Sequence, residues 1–542
     1  VTYTFPICEL KPLTDENCWQ ILARHAFGND GYDKYPSLEE IGRKIARKCN
    51  GLQLAAKTLG GLLRSNVDVG EWNKILNSNL WAHDDVLPAL RISYLHLPAC
   101  MKRCFAYCSI FPRQHLLDRK ELILLWMAEG FLQQPHGDKP MELAGAECFD
   151  ESLFRSLIEK DKTRAKEKFR MHDLIYDLAK LVSGKCYCYF EGGEIPGTVR
   201  HLAFLTKWCD VSRRFEGLYD MKSLRTFLPQ PRYPDFESYL TKMVSHIWLP
   251  KLRCLRILSL CQYTNITDLP ASIGNLVLLR YLDLSYTSIK SLPDGTFKLY
   301  NLQTLKLTNC KFLTQLPRQI GNLVNLRHLD ISGTTLVEMP AQMCKLQDLR
   351  TLTSFVVGKQ DGLRITELRR FPYLQGKLSI LELQNVDDPM DAFQADLKKK
   401  GKIKELTLEW GSNPHDAQLV KSVLDNLKPS TNLKKINIKS YGGTNFPKWL
   451  GDSSYSNVTV LSIIDCNYCL SLPPFGQLPS LKELVIKRMK MVNTVGHQFY
   501  RTNRGSPSFQ PFPLLESLQF VEMLEWEEWL PFEGEGSSFL FF

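Results

Sequence analysis

The sequence lacks any apolar run approaching the roughly 18 to 20 residues that a membrane-spanning helix requires. It begins VTYTFPICEL, without an initiator methionine and without the basic and then apolar pattern of a signal peptide. The 16 cysteines are scattered rather than spaced as a disulfide framework, which favours a reducing compartment. We therefore expect a cytoplasmic protein with no transmembrane segment, and we interpret both ends of the sequence as the cut edges of a longer, N-terminally truncated chain.

Sequence signatures of catalysis and of metal binding are also missing. There is no GxxxxGK[ST] loop to wrap the phosphates of a nucleotide, no GxSxG, no HExxH and no zinc-finger spacing. Cys100, Cys104 and Cys108 recur every four residues, a spacing more typical of small thiols on one helix face than of metal ligands. The sequence therefore predicts neither an enzyme nor a metal site.

The composition is that of an ordinary globular protein. Apolar residues make up 44% and charged residues 23% of the 542 positions, which excludes a disordered or collagen-like chain. The length suggests roughly three or four domains' worth of core. Lysine and arginine exceed aspartate and glutamate by 68 − 58 = 10, a mild bias that does not by itself indicate nucleic-acid binding.

Leucine occupies 84 positions, and in the second half of the chain it is periodic. Segments of the form LxxLxL begin at Leu255, Leu279, Leu302, Leu326 and Leu349, in steps of 24, 23, 24 and 23 residues. Weaker copies of the segment begin at Val199, Leu224, Leu378, Ile403, Leu433, Val458, Leu481 and Leu515. This period is that of a leucine-rich repeat, with about thirteen turns over residues 196–542.

The repeat implies a particular architecture. Each LxxLxL segment predicts a short strand whose leucines point inward, and one repeat alone cannot bury them. Stacked neighbours form a continuous core and a parallel sheet, which is the geometry of a horseshoe-shaped solenoid. We therefore expect an α/β protein whose second half is such a solenoid.

The first 195 residues show helical periodicity and no repeat. Ser37 with Glu40 predicts a capping box, and Asp118 with Glu121 predicts the start of a second helix that ends at Gly130. Phe149, Leu153 and Leu157 mark a third helix, and a fourth runs from near His172 to Gly184. The charged turn DKTRAKEKFR between these last two helices leads into a short strand, and helices with such a hairpin indicate a winged-helix module.

Four segments of this half carry a family resemblance. They read CNGLQLAAKTLGGLLRS from Cys49, CFAYCSIFP from Cys104, LILLWMAEGFL from Leu122 and MHDLIYDLAK from Met171. In this order, and ahead of leucine-rich repeats, they resemble the nucleotide-binding leucine-rich-repeat (NB-ARC/LRR) disease resistance proteins of plants. The CFAYCSIFP form is similar to that of the coiled-coil subclass.

The resemblance implies a domain plan. Residues 1–84 would be the C-terminal part of the nucleotide-binding core and its helical subdomain, 85–195 the winged-helix subdomain, and 196–542 the repeats. In the family, ADP holds the molecule closed, and exchange to ATP permits assembly into a resistosome that triggers immune cell death. ADP and ATP are therefore the implied cofactors.

The resemblance also implies a nucleotide site. The switch motif falls on Met171, His172 and Asp173, and the family's histidine contacts the β-phosphate of ADP, which suits a ring N–H at a helix start. The family's GLPLA motif, whose proline packs on adenine, reads here Gly51, Leu52, Gln53, Leu54 and Ala55. Because Gln53 lacks the proline ring, and because no phosphate loop is present, we expect this chain to bind ADP weakly or not at all.

A basic series runs along the repeats. The position after the first leucine of each segment is occupied by Arg256, Arg280, Gln303, Arg327 and Arg350, and later by Lys404, Lys434 and Lys482. Equivalent positions stack in a solenoid, so these side chains form a ladder of like charges that must be solvated or must meet an acidic surface. We weigh a docking stripe for an acidic partner and a merely solvated edge equally.

The sequence as a whole predicts a fragment of an intracellular immune receptor that recognises a pathogen effector or a guarded host protein. The repeats would also dock on the chain's own nucleotide-binding region and thereby keep the receptor in its inactive, autoinhibited state. An inactive truncated relic, or a repeat scaffold without nucleotide switching, remains the alternative. An extracellular repeat receptor would need a signal peptide and a transmembrane helix, and a nucleic-acid-binding winged helix would need a basic recognition helix in place of ELILLWMAEG.

Overall fold

The computed structural model describes residues 11–28, 32, 34–64, 66–82, 88–132, 139–163, 167–231, 237–359, 362–411, 416–501, 509–530 and 532. The chain divides into two compact units. Unit 1 comprises Val1–Thr206, Arg213–Arg232 and Cys254–Leu258, and unit 2 comprises Lys207–Ser212, Tyr233–Arg253 and Ser259–Phe542. None of the helices in the described residues combines the length and the apolarity that crossing a bilayer demands.

The α-helices of the described residues are α1 (Asp15–Phe27), α2 (Pro36–Lys48), α3 (Gln53–Leu62), α4 (Val69–Leu76), α5 (Pro88–Leu95), α6 (Ala99–Tyr107), α7 (Arg119–Glu129), α8 (Met141–Phe154), α9 (Asp173–Ser183), α10 (Pro389–Gln394) and α11 (Ala417–Asn426). The strands are β1 (Glu159–Asp161), β2 (Lys168–Arg170), β3 (Tyr187–Phe190), β4 (His201–Leu205), β5 (Cys209–Asp210), β6 (Thr226–Gln230), β7 (Tyr239–Leu240), β8 (Ile257–Ser259), β9 (Tyr281–Asp283), β10 (Thr304–Lys306), β11 (His328–Asp330), β12 (Thr351–Leu352), β13 (Ser354–Val356), β14 (Gly376–Leu381), β15 (Ile403–Glu409), β16 (Lys435–Lys439), β17 (Val460–Ile464), β18 (Glu483–Lys487), β19 (Thr494–Val495), β20 (Ser517–Val521) and β21 (Glu528–Trp529).

The first helices of unit 1 pack around a core that contains Trp19 and Trp72, neither of which is exposed. Helix α3 lies close to its neighbours because two of its residues lack a side chain. A Cβ atom on Gly60 would approach the carbonyl oxygen of Leu22 to 2.6 Å, and one on Gly61 would approach that of Phe154 to 2.6 Å. The GG pair of the sequence motif therefore permits the close packing of α3 in this core.

Two predicted helix starts have different outcomes. Asp118 is the N-cap of α7 and accepts hydrogen bonds from the backbone N–H groups of Lys120 and Glu121, at 3.0 and 3.1 Å. The predicted end of α7 at Gly130 is also confirmed, since this glycine has a φ of 73°. The capping box at Ser37 and Glu40 is wrong, because Pro36 occupies the first turn of α2 and the N-cap is Tyr35, which makes no side-chain capping bond.

The winged-helix elements are present in unit 1. Strands β1 and β2 form an antiparallel hairpin, and Phe169 extends it by an antiparallel bridge to Leu117. Helix α8 ends at Phe154, so the predicted helix residue Leu157 lies beyond it, although its side chain is buried. Residues 164–166 of the predicted charged turn lie outside the described residues. The helices with this hairpin form the predicted winged helix.

Unit 1 also contains the first strands of the repeat sheet. Strand β4 pairs in parallel with β3 and β6, and β6 pairs in parallel with β8. His201 is opposite Thr226 in this register, and Thr226 is opposite Ile257. The compact units therefore divide within the repeats, and not at residue 195, where the sequence pattern changes.

In unit 2 the repeats form parallel ladders. Strands β9 to β12 pair in sequence order, as do β13 to β18, and β20 pairs with β18. Each of the thirteen predicted repeat starts lies either within one of the strands described or two residues before its first residue. The leucines that begin the five regular segments, such as Leu279 and Leu302, are completely buried, whereas Leu515 is half-buried. The solenoid predicted from the leucine period is confirmed.

Candidate functional site

The switch motif lies at the start of α9. Met171 is buried, and His172 is the exposed N-cap residue of the helix. The imidazole Nδ1 of His172 accepts a hydrogen bond from the backbone N–H of Leu174 at 3.2 Å. An Nδ1 atom that accepts leaves Nε2 as the donor of the ring. The structure therefore presents a ring N–H to solvent at a helix N-terminus, where the helix dipole favours an anion.

Asp173, the third residue of the motif, is held by the loop that precedes α7. The side-chain amide of Gln114 donates to its Oδ1 at 3.0 Å, and the Arg113 guanidinium lies 3.8 Å from the same oxygen. Arg113 also bonds Asp177 one turn further along α9 and stacks over the ring of Tyr176 at 5.4 Å. These half-exposed ion pairs contribute little stability each, but together they fix the first two turns of α9.

The second predicted nucleotide contact lies at the start of α3. Gly51 has a φ of 73°, and its carbonyl oxygen accepts a hydrogen bond from the backbone N–H of Leu13 at 2.9 Å. A side chain at Gly51 would strike Pro12, because a Cβ atom added to this glycine would lie 2.5 Å from the proline Cβ. Leu52 is the N-cap, Gln53 is exposed at the first helical position and Leu54 is buried. Gly51 therefore joins α3 tightly to the segment before α1.

The two nucleotide motifs lie on different helices with a common neighbour. Both α3 and α9 contact α5. Among the described residues, no hydrogen bond or ion pair joins His172 to the segment from Gly51 to Leu54. A ligand that used both motifs would have to span the distance between two helix N-termini.

The basic ladder stacks as its spacing predicts. The backbone N–H of Gln303 donates to the carbonyl of Arg280, that of Arg327 to Gln303 and that of Arg350 to Arg327, at 2.7 to 2.9 Å. These side chains are half-buried, and the Arg350 guanidinium lies 5.1 Å from the centre of the Tyr373 ring. Further along, Lys404, Lys434 and Lys482 are exposed, and Lys482 is paired with Glu516 at 2.5 Å.

Arg256, the first residue of the predicted ladder, has a partner within unit 1. Its guanidinium donates to the main-chain carbonyl of Glu129 at the end of α7. Glu129 itself was missed by the sequence reasoning, although a single carboxylate within the apolar run LILLWMAEGFL is a visible signal. Its carboxylate is buried with His201 and Thr226, which were missed as well.

Strand residues on the face opposite the leucines are less accessible than their varied chemistry suggests. Tyr281, Asp283, Thr304 and His328 are 0%, 3%, 2% and 8% exposed. They bond to one another across the strands, since Lys306 pairs with Asp283 at 3.0 Å and His328 shares a hydrogen bond with Thr351 at 3.1 Å. The polar side chains on this face of the first strands of unit 2 are therefore buried and bonded across the strands.

Burial changes the acid–base chemistry of the loop between α6 and α7. His115 stacks on Phe111 at 4.8 Å between ring centres. Burial, with a smaller contribution from the charge of Lys168, lowers the pKa of His115 to about 4. This imidazole is thus neutral at physiological pH and packs as an apolar ring next to the loop that holds Asp173.

Comparison with known families gives three matches. Residues 110–179 match the family model described as the disease resistance protein winged helix domain. Residues 277–336 match a leucine-rich repeat model, and residues 365–489 match the R13L1/DRL21 leucine-rich repeats. The winged-helix match includes α7, the hairpin and the switch motif.

Plant relatives share nearly the whole chain. The putative disease resistance RPP13-like protein 1 of Arabidopsis thaliana is 45% identical over 96% of this chain and 51% of its own length. The putative disease resistance protein RGA1 of Solanum bulbocastanum is 37% identical over 88% of this chain and 46% of its own length. The chain thus spans about half the length of these relatives. The resemblance predicted from the four motifs is confirmed.

Proposed function

We propose that this chain, a relative of the plant disease resistance proteins, forms the winged-helix and recognition parts of an ADP/ATP-switched intracellular immune receptor. The observation that carries the proposal is the placement of the switch motif at the start of α9, within a winged helix that matches the disease resistance model. In this proposal the protein acts in the cytoplasm as a receptor rather than as an enzyme.

The residues of the switch motif suit an ADP β-phosphate. The diphosphate would supply negative charge, and His172 offers an Nε2–H donor at the N-terminus of an 11-residue helix. Gln114 and Arg113 hold Asp173, and this contact orients the helix start that carries His172. The donor set fits one phosphate of the nucleotide and, without a phosphate loop in the sequence, it does not enclose the rest.

The segment from Gly51 to Leu54 would contact the adenine. The tight turn at Gly51 fixes where α3 begins, and Gln53 is exposed there. An amide in place of the family's proline gives a poorer apolar surface for the base. The proposal therefore assigns to this chain a partial nucleotide site whose affinity depends on residues supplied by the rest of a full-length receptor.

The repeats would recognise a protein with an acidic face. Arg280, Arg327 and Arg350 stack along one edge of the first strands of unit 2, and exposed Lys404 and Lys434 continue the series. Such a stripe complements an acidic surface, either on a pathogen effector or guarded host protein or on the nucleotide-binding part of the same receptor. Arg256 is not part of this stripe, because it belongs to unit 1, where its guanidinium donates to the main-chain carbonyl of Glu129.

Calorimetric titration with ADP tests the proposal. The protein to be tested is a hybrid in which this chain replaces the matching half of the RPP13-like relative. We expect His172→Ala to weaken ADP binding at least about tenfold, because a hydrogen bond to a charged group is lost. Lys180→Ala, in the last turn of the same helix, is the matched control and should bind ADP as the parent does.

The outcomes separate the alternatives. Equal ADP affinity in the His172→Ala hybrid would remove His172 from the site. A hybrid that binds no ADP at all would favour a repeat scaffold without nucleotide switching. The 542-residue chain by itself should bind ADP more weakly than micromolar, and micromolar or tighter binding would contradict the role given to the missing phosphate loop.

A further inference from the structure

Glu129 is the last residue of α7, and its side chain is 1% exposed. A buried carboxylate is costly, and the C-terminus of a helix is an unfavourable place for a negative charge. Nothing in the proposed nucleotide or recognition role uses this residue. Its burial therefore needs partners that offset the cost.

The partners come from the first repeat strands. The hydroxyl of Thr226 on β6 donates to Glu129 Oε1 at 2.5 Å, and Nδ1 of His201 on β4 lies 3.3 Å from the same oxygen. His201 Nδ1 is also 3.1 Å from the Thr226 hydroxyl, so the three groups form a closed triangle. Next to β8, Arg256 donates to the main-chain carbonyl of Glu129. Three adjacent strands of the sheet thus supply these contacts.

The His201 ring is enclosed by aromatic rings. It stacks on Tyr187 at 4.4 Å and meets Tyr107 and Phe131 edge-on, at 5.6 and 6.0 Å between ring centres. Tyr107 ends α6 and Phe131 follows α7, so both belong to the winged helix. Burial, assisted by the Glu129 carboxylate, raises the pKa of Tyr187 to about 12.

The Glu129 carboxylate has few hydrogen-bond partners besides Thr226 and His201. Glu129 Oε2 has no hydrogen-bond partner within the described residues, so the carboxylate depends on Oε1 alone. His201 and Thr226 are 3% and 0% exposed, and water cannot replace either partner without opening the interface. Removing one member of such a group leaves an uncompensated buried polar atom, which destabilises far more than the loss of an exposed pair.

We infer that Glu129, His201 and Thr226 form an anchor that makes the winged helix and the first repeat strands one cooperative folding unit. The division of the chain into compact units supports this, because Arg213–Arg232 and Cys254–Leu258 group with the helical region and not with the later repeats. The inference is independent of the proposed nucleotide switch. It assigns Glu129 a positioning role between two modules.

Amide hydrogen exchange on the full chain, read out by peptide mass spectrometry, tests the anchor. We expect Glu129→Gln and His201→Phe each to raise exchange in both α7 and strands β4 and β6 by at least about tenfold. Peptides of α1 to α4 should be unchanged. Thr226→Val is a milder variant that keeps the test open if either of the others fails to fold. Faster exchange in α7 alone would overturn the inference, since the strands would then be stable independently.

A double-variant comparison measures the coupling. If Glu129 and His201 act through each other, the double variant Glu129→Gln/His201→Phe should show about the same increase in amide exchange rate as the single variant with the larger increase. Independent residues would instead give an increase equal to the product of the two single increases. Lys160 and Glu167, an exposed pair 2.8 Å apart in the hairpin region, supply the control. Their neutralisation to Gln, singly and together, should change exchange by less than about twofold. If the increases in exchange rate at Glu129 and His201 multiply in the double variant, the inference that they form an anchor is overturned.

Discussion

Lys400 is a lysine in a position that several other repeats fill with leucine. The backbone N–H of Ile403 donates to the carbonyl of Lys400 at 3.1 Å, as that of Leu279 does to Leu276. The Lys400 side chain is 5% exposed, and its Nζ donates to the carbonyl of Phe371 at 2.8 Å in the preceding repeat. Burial lowers the pKa of Lys400 to about 8. The amine thus satisfies one carbonyl at the cost of desolvating a charge.

We predict that Lys400→Met stabilises the chain by about 1–2 kcal/mol at pH 7. A shift of the Lys400 pKa from a usual value of about 10.4 to about 8 corresponds to roughly 3 kcal/mol of penalty on the charged form. The Met variant avoids this penalty but loses the hydrogen bond to the Phe371 carbonyl, and that loss offsets part of the gain in stability. Because the unfolded chain binds more protons than the folded chain between about pH 8 and 10.4, the free energy of unfolding attributable to Lys400 rises with pH in that window.

Urea unfolding of both proteins at pH 7 and pH 10 checks the prediction for Lys400. The advantage of the Met variant should shrink at pH 10, where the amine of the parent is already neutral in the fold. Other groups that titrate in this range do so in both proteins, so only the difference between them is used. A difference that stays the same at both pH values would show that desolvation of the amine is not the cause.

Sequence reasoning found some functional residues and missed others for a common reason. His172 was identified by a motif with local neighbours, and its capping role depends on a residue only two positions away. Glu129 and His201 are 72 positions apart in the sequence, and their contact depends on the packing of α7 against β4. Lys400 could have been found by aligning KKKGKIKEL with the other repeats, because it falls where the period demands leucine.

At the scale of elements, α7 depends on the residue before it. Asp118 caps the helix, and its second carboxylate oxygen accepts a hydrogen bond from the Lys168 amine at 3.1 Å. Lys168 begins β2, so the Asp118 side chain joins α7 to the β1–β2 hairpin. The sequence predicted the cap but not the bond to the wing, because the partner lies 50 residues away.

We predict that Asp118→Ala lowers the free energy of unfolding by about 1–2 kcal/mol, because the helix loses its N-cap and the lysine its partner. Asp118→Asn is the matched control, since asparagine caps a helix nearly as well but carries no charge; its loss should be less than half as large. Thermal unfolding followed by circular dichroism provides the measurement. Equal losses in the two variants would assign the effect to the ion pair rather than to the cap.

The wrong capping box shows where local pattern fails. Ser37 and Glu40 have the right spacing, but Pro36 already has the backbone angle of a first helical residue and lacks an N–H that needs a cap. The helix therefore begins at Pro36, two residues earlier than the box requires, and Ser37 lies inside it. The strands of the repeats were predicted more reliably, because thirteen copies of one pattern reinforce each other.

At the scale of the whole molecule, the sheet changes within a single repeat. Strand β12 pairs with β11 and strand β13 pairs with β14, and Thr353 lies between them. The Thr353 hydroxyl donates to Asp330 Oδ1 at 3.0 Å, which turns this residue toward the preceding repeat. The regular leucine period ends with the segment at Leu349, and the next segment begins 29 residues later at Leu378. The sequence thus shows an irregularity at this point, but the change of strand pairing could not be predicted from it.

The basic ladder supports a prediction about the whole receptor. In the hybrid with the RPP13-like relative, Arg280→Glu combined with Arg327→Glu should alter cell death, with or without the pathogen that the hybrid detects, because reversed charge repels an acidic partner. Ion leakage from leaf tissue is the readout. Lys298→Glu, an exposed change on the outer turn of a neighbouring repeat, is the control and should have no effect. Unchanged cell death in both conditions would favour a merely solvated edge.

The anchor at Glu129 has a practical consequence for recombinant fragments. Composition suggests ending a fragment near residue 195, but such a fragment lacks His201, Thr226 and Arg256. The Glu129 carboxylate then has no partner and lies on a newly exposed apolar surface. Such a piece is expected to precipitate on expression. A piece that continues through Leu258 retains all three partners, and it is the shortest fragment that we would choose for crystallisation or for spectroscopic assignment.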